Sequence, residues 1–231
     1  MKKSDILFII AVTVLLTPFF VSDAVFEAYK NANATHPYVM AFVKFMLLSS
    51  VGEMLGLRIK EGVYTYKGYG MLPRAVVWGI FGVLIAIAMG VFKTGIPVVL
   101  ESMGVENMVT AMKGTLSWEK VLGACCISTA MNTFFAPMFM TVHKVTDTHI
   151  LACGGKLKAL VTPIEFGKIL SEINWKVQWG FVFKKTLPLF WIPAHTITFL
   201  LPGEYQVLFA ASLSIVLGVL LSVAAAMSRT K

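Results

Sequence analysis

Polar and apolar residues fall along this chain in long blocks rather than in a short alternation. Apolar runs at about 5–22, 38–57, 75–92, 121–142, 186–201 and 207–226 are separated by shorter stretches that hold most of the charge. Most of these runs approach the ~20 helical residues needed to cross a hydrocarbon core. A segment crossing lipid must satisfy its own backbone hydrogen bonds, so each run is expected as a helix. The pattern predicts an all-α fold: a polytopic transmembrane helical bundle of about six spans with interfacial amphipathic helices. Residues 1–231 are expected to form a single integral membrane domain.

The stretches between the runs refine this picture. The first run follows Met1-Lys2-Lys3, the arrangement of a signal peptide, but Val21-Ser22-Asp23-Ala24 is a weak cleavage site and a retained span is expected. Asp23–Lys30 reads as a polar helix running to a turn at Asn31–Pro37. Pro73 suits the start of the third helix, where its missing N–H has no partner in any case. Within that run Gly79-x-x-Gly82 offers a surface for close helix contact. Pro97 is expected to open a short interfacial segment, Val98–Met112, with Glu101, Glu106 and Lys113 on its polar side. Pro137 is expected to kink the fourth span. Leu157–Ile173 is too polar to cross, Trp175 and Trp179 suit the headgroup level, and Pro188 and Pro193 interrupt the fifth span.

Composition agrees with the membrane reading. Hydrophobic residues make up 57% of the chain and charged residues 14%, with a mean hydropathy of +0.78. Soluble domains carry about 25% charge. The net charge of +8 would point to nucleic acid in a soluble protein, but here it sorts by side. With both termini cytoplasmic, fifteen of the twenty Lys and Arg fall on inside segments. Only Lys30, Lys93, Lys113 and Lys120 fall outside, and Lys44 lies within a span. That bias favours six spans with N and C termini cytoplasmic. The expected partners are the lipid bilayer and small solutes, with a homo-oligomer left open and no nucleic acid. Cys125, Cys126 and Cys153 form no disulfide or zinc pattern.

Candidate chemistry lies in the polar residues inside the runs, because such groups are costly in lipid and usually face a bundle interior or a cavity. Glu53, Asn132, His143, Asp147 and His195 are therefore the candidate lining of a solute path. Glu53 and Arg58 lie about 140° apart on an ideal helix, so each is expected to pair with another helix. Lys44 reads equally as a pairing group or a path-lining one. His143 and Asp147 share a helix face at i, i+4, and His149 follows; this set could bind zinc. The alternative function is therefore a membrane-embedded metal-dependent hydrolase using His143, Asp147 and His149. His143 and Asp147 loosely resemble the intramembrane prenyl-protein proteases, whose paired-glutamate motif is absent. The plainer reading is a polar helix end near the carbonyl dipole. No Walker loop, GxSxG, HExxH or GxGxxG motif occurs, and neither an enzyme nor a cofactor is expected.

A resemblance covers about 190 residues in one order. His36-Pro37 precedes a span, Gly52-Glu53 follows, and Ile96-Pro97 ends a glycine-rich span. Then come Asn132-x-x-Phe135-Ala136-Pro137, Asn174-Trp175, Trp191-Ile192-Pro193-Ala194, Phe199, Pro202 and Leu221-Ser222. This series resembles the Mpv-seventeen family of small peroxisomal and mitochondrial inner-membrane proteins. The family has Gly-Asp where Glu53 stands, an Asp where Met131 stands, and Asn-Phe where Thr198-Phe199 stands, and it is usually drawn with four spans. The resemblance implies a divergent bacterial member in the cytoplasmic membrane. It also implies a channel-like passage of small solutes, with a non-conducting membrane scaffold as the blander alternative.

Overall fold

The computed structural model describes residues 2–228, with side chains through residue 216. The described residues contain helices and no strand. Helix α1 spans Lys3–Val21, α2 Asp23–Thr35, α3 Pro37–Glu61, α4 Met71–Ser102 and α5 Met108–Lys113. Helix α6 spans Trp118–Ala152 and α7 Phe166–Glu172. Helix α8, Trp175–Val177, runs into a π-helical stretch, Gln178–Trp191, followed by α9, Ile192–Leu200, and α10, Gly203–Ser228.

Four of these helices, α1, α3, α4 and α6, are long and apolar enough to cross a membrane. They correspond to the first four predicted spans. The fifth, 186–201, is helical but falls across the π stretch and α9, and it is not among those four. The sixth, 207–226, lies on α10, whose side chains from residue 217 are outside the described residues. Arg229 and Lys231, counted with the cytoplasmic charges, also lie outside them.

One proline expectation needs correction. Pro97 does not open a separate helix: α4 continues through it to Ser102, and only Met108–Lys113 forms a further short helix. Ending a helix in an apolar setting would leave several backbone groups unpaired, whereas an interior proline frees one carbonyl. Just before Pro137, where a kink is expected, the backbone forms a π turn at Met131–Phe135, in which Ala136 N–H donates to Met131 O. Such π turns often mark functional positions, and this one carries Asn132.

The bundle is built around α3. Helices α4 and α10 both pack along it, while α9 packs on the first half of α6. Small residues allow the close crossings. A Cβ on Gly82 would lie 2.6 Å from the Ala41 carbonyl oxygen, and one on Gly52 would lie 3.0 Å from Ser214 O. Polar ties add to them: Ser214 Oγ donates to Ser49 Oγ (3.1 Å) across α3 and α10, and Lys93 Nζ donates to Gln206 Oε1 (3.1 Å) across α4 and α10. One apolar cluster joins all five helices through Phe45, Ile85, Met89, Ile127, Met131, Phe199 and Ala211. Helix α1 buries no residue. It is held at its base, where Arg58 donates to both Asp5 oxygens (2.7 and 2.9 Å) and Phe8 stacks on Tyr64 at 4.5 Å.

Candidate functional site: two stacked cavities

The inner faces of α3, α4, α6, the π stretch with α9, and α10 surround a cavity of ≈640 Å³. All five candidate residues, Glu53, Asn132, His143, Asp147 and His195, line it. The exposed residues Lys60, Glu61 and Lys144 line it too, so one end reaches the surface. Its deep end meets Phe45, Ile85, Met131 and Ala210, all part of the apolar core.

Near the mouth the charges form one network. Arg74, 5% exposed, places Nη1 2.5 Å from Asp147 Oδ1 and 3.6 Å from Glu53 Oε1. Its Nε donates to Tyr69 O (3.0 Å), and its guanidinium stacks over the Tyr69 ring at 4.4 Å. Glu53 is held from both sides: Trp78 Nε1 donates to Oε1 (2.8 Å) and Tyr69 O–H donates to Oε2 (3.0 Å). Burial, together with the nearby Glu53 carboxylate, pushes the Tyr69 phenol well above its usual value, so it stays a donor. His143 lies against the Trp78 ring at 4.5 Å. Its Nε2 is buried without a hydrogen-bond partner, 4.0 Å from Glu53 Oε1 and 3.9 Å from Asp147 Oδ1.

The wall deeper in is polar but uncharged. Asn132, 1% exposed, donates through Nδ2 to Ser128 O (2.9 Å) and meets His195 Nδ1 at 3.0 Å. An amide NH2 only donates, so His195 Nδ1 accepts and its ring proton sits on Nε2. Ser128 Oγ donates to Ile192 O (2.7 Å), tying α6 to the first turn of α9. Trp191, its ring tilted against that of His195 at 5.2 Å, has its Nε1 buried without a partner. Buried polar atoms without partners are uncommon. Here two such ring nitrogens, those of His143 and Trp191, belong to residues lining one cavity.

The zinc set His143, Asp147 and His149 is not assembled. His149 turns away, with Nε2 3.1 Å from Ala159 O and 3.7 Å from Cys153 Sγ. Glu53, His143 and Asp147 do bring ligand atoms within 4.8 Å of one another. The Arg74 guanidinium already supplies the cation between the two carboxylates, and both Glu53 oxygens are engaged. The chemistry of this group is that of an ion-pair network.

A second cavity, of ≈380 Å³, lies at the other end of α3. On α3 it takes Pro37, Tyr38 and Lys44, where the first cavity takes Phe45 through Glu61. On α4 the division falls between Ile85 and Ala86, and on α10 between Val207 and Ala210. The same order on three helices places the second cavity toward one end of the bundle and the first toward the other.

Arg74, Trp78, Tyr69 and Trp191 were not among the sequence candidates. Arg74 follows Pro73 and reads as a loop charge. Trp78 stands four residues on, and that i, i+4 spacing on one face was the available signal. No family model, curated protein or solved structure matches the chain.

Proposed function

We propose that this chain is a non-enzymatic membrane protein that passes small solutes along its bundle axis. The observation that supports the reading is the succession of two cavities along three shared helices; in this reading Phe45, Ile85 and Ala210, at the apolar inner end of the larger one, form the layer that closes the path. A hydrophobic constriction closes a path by excluding water, and a small widening rewets it. The wall composition supports the same reading. Asn132, His195 and Trp191 offer neutral hydrogen-bonding groups, while Glu53 and Asp147 keep their charges close to Arg74. The mouth is then polar without a large net charge, which suits uncharged or zwitterionic solutes. The resemblance to the Mpv-seventeen family points the same way. In this reading the π stretch with α9 and the helix α10 complete six spans, with both termini cytoplasmic. Reporter fusions at each terminus check that topology, and a terminus found outside overturns it.

The test is solute flux. Purified protein in liposomes is challenged with glycerol, glucose and potassium chloride. Phe45→Ala thins the apolar layer and is expected to raise flux several-fold. Ala210→Leu thickens it and is expected to reduce flux. Unchanged flux in both variants, each shown to be folded, rejects the passage reading in favour of a scaffold.

A further inference from the structure

The smaller cavity holds a charge that the protein does not balance. Lys44 is 6% exposed, and its Nζ donates to Asn33 Oδ1 at 2.5 Å and lies over the Tyr29 ring at 5.7 Å. Among the described residues no carboxylate lies within 4 Å of it. An ammonium has three N–H donors, and burying it without an opposite charge is expensive. A second, independent feature shares the cavity: the Tyr29 hydroxyl is buried and has no hydrogen-bond partner. Burial pushes the Tyr29 phenol up, so it remains an O–H donor. A buried ammonium with one of its three donors taken by Asn33, and a buried hydroxyl with no acceptor, therefore belong to residues lining one ≈380 Å³ space.

We propose that this cavity binds an oxyanion group, a phosphate or a carboxylate, through Lys44 Nζ and Tyr29 O–H. The surroundings are built to hold those two donors in place. Asn33 Nδ2 donates to Glu204 O (3.4 Å), joining α2 to the start of α10 across the cavity. Lys30 is engaged by Glu27 at 2.6 Å. The acidic side chain of the lining is that of Glu204, which is exposed and beyond ion-pair distance of Lys44. The ligand chemistry is the same whether the anion is a lipid headgroup or a soluble solute. The inference does not depend on solute passage, because binding is read without flux.

The experiment uses the full chain in nanodiscs of phosphatidylcholine and follows the thermal midpoint. Inorganic phosphate and acetate are added as soluble probes, and phosphatidylglycerol is added to the bilayer as the lipid probe. Wild type is expected to gain stability from at least one of them. A response to phosphate or acetate identifies a soluble anion, and a response to phosphatidylglycerol alone identifies a headgroup. Lys44→Met removes the uncompensated charge, so it is expected to fold with an anion-free midpoint no lower than wild type and to lose the response. Tyr29→Phe keeps the ring and is expected to weaken binding on the order of tenfold, the loss of a hydrogen bond to a charged group. Glu204→Gln removes a repelling carboxylate and is expected to strengthen binding. No response in wild type, or an equal response in Lys44→Met, overturns the site. So does a Glu204→Gln variant that is destabilised and unresponsive, since Glu204 would then be the counter-charge of Lys44.

Discussion

Arg74→Met is expected to unfold at a far lower temperature than wild type, with a loss of about 3–5 kcal/mol, the cost of removing one partner from a buried ion pair. Arg74 serves three partners at once: it donates to Asp147 and to the Tyr69 carbonyl and pairs in charge with Glu53 at 3.6 Å. Methionine fills much of the same volume, so packing is roughly conserved and the lost stability reports on charge and hydrogen bonding. Arg74→Lys keeps the charge but has no planar fork to reach Tyr69 O and Asp147 together and no guanidinium to stack on the Tyr69 ring. It is expected to fall between wild type and Arg74→Met. Asp147→Asn is expected to cost less than either, because Arg74 keeps Glu53 and an amide oxygen still accepts. Thermal unfolding in detergent measures the series. Equal midpoints for Arg74→Met and wild type would show that the cluster holds nothing together. The same series tests the cation role of the guanidinium: zinc is expected to leave the wild-type midpoint unchanged.

How much of this site was legible in the sequence follows from where each residue sits in its helix. Glu53, Asn132, His143, Asp147 and His195 stand out because a polar group within an apolar run has few places to go except a bundle interior. The structure brings all five to one cavity. Arg74 is as central to the network as Glu53 but sits in the first turn of α4, where a charge needs no explanation. Its partner Asp147 is 73 residues away, a separation that helical periodicity cannot bridge. His149 shows the opposite failure. Its spacing from His143 suggested a shared site, but the turn at Cys153–Gly155 brings Ala159 O within reach of its ring. For the fold, length and hydropathy identified α1, α3, α4 and α6. They could not show that the segment from Gln178 to Trp191 winds as a π-helix, since that depends on how Pro188 and the neighbouring helices share backbone partners.

Gly155→Val is expected to be as damaging as Arg74→Met, and Gly154→Val next to it much less so. Both glycines have φ of +67°, a region that a β-branched residue adopts only under strain. That strain alone costs roughly 1–2 kcal/mol per residue. A Cβ at Gly154 meets nothing within 4 Å, so strain is its whole effect. A Cβ at Gly155 would lie 2.5 Å from Gly68 O and 2.6 Å from Gly70 N, and backbone cannot rotate away as a side chain can. The loop before α4 must move instead, and it carries Tyr69, whose carbonyl accepts from Arg74 Nε and whose hydroxyl donates to Glu53. Gly155→Val therefore acts on the ion-pair network without touching its side chains. It follows that Gly155→Val and Arg74→Met remove overlapping interactions, and their combined cost is expected to fall well short of the sum, as for residues in one network. Gly154→Val and Arg74→Met are expected to add. Thermal midpoints of the three single and two double variants decide the matter: full additivity of Gly155→Val with Arg74→Met would mean that the loop and the network are independent, and that the turn at 153–155 only closes the end of α6.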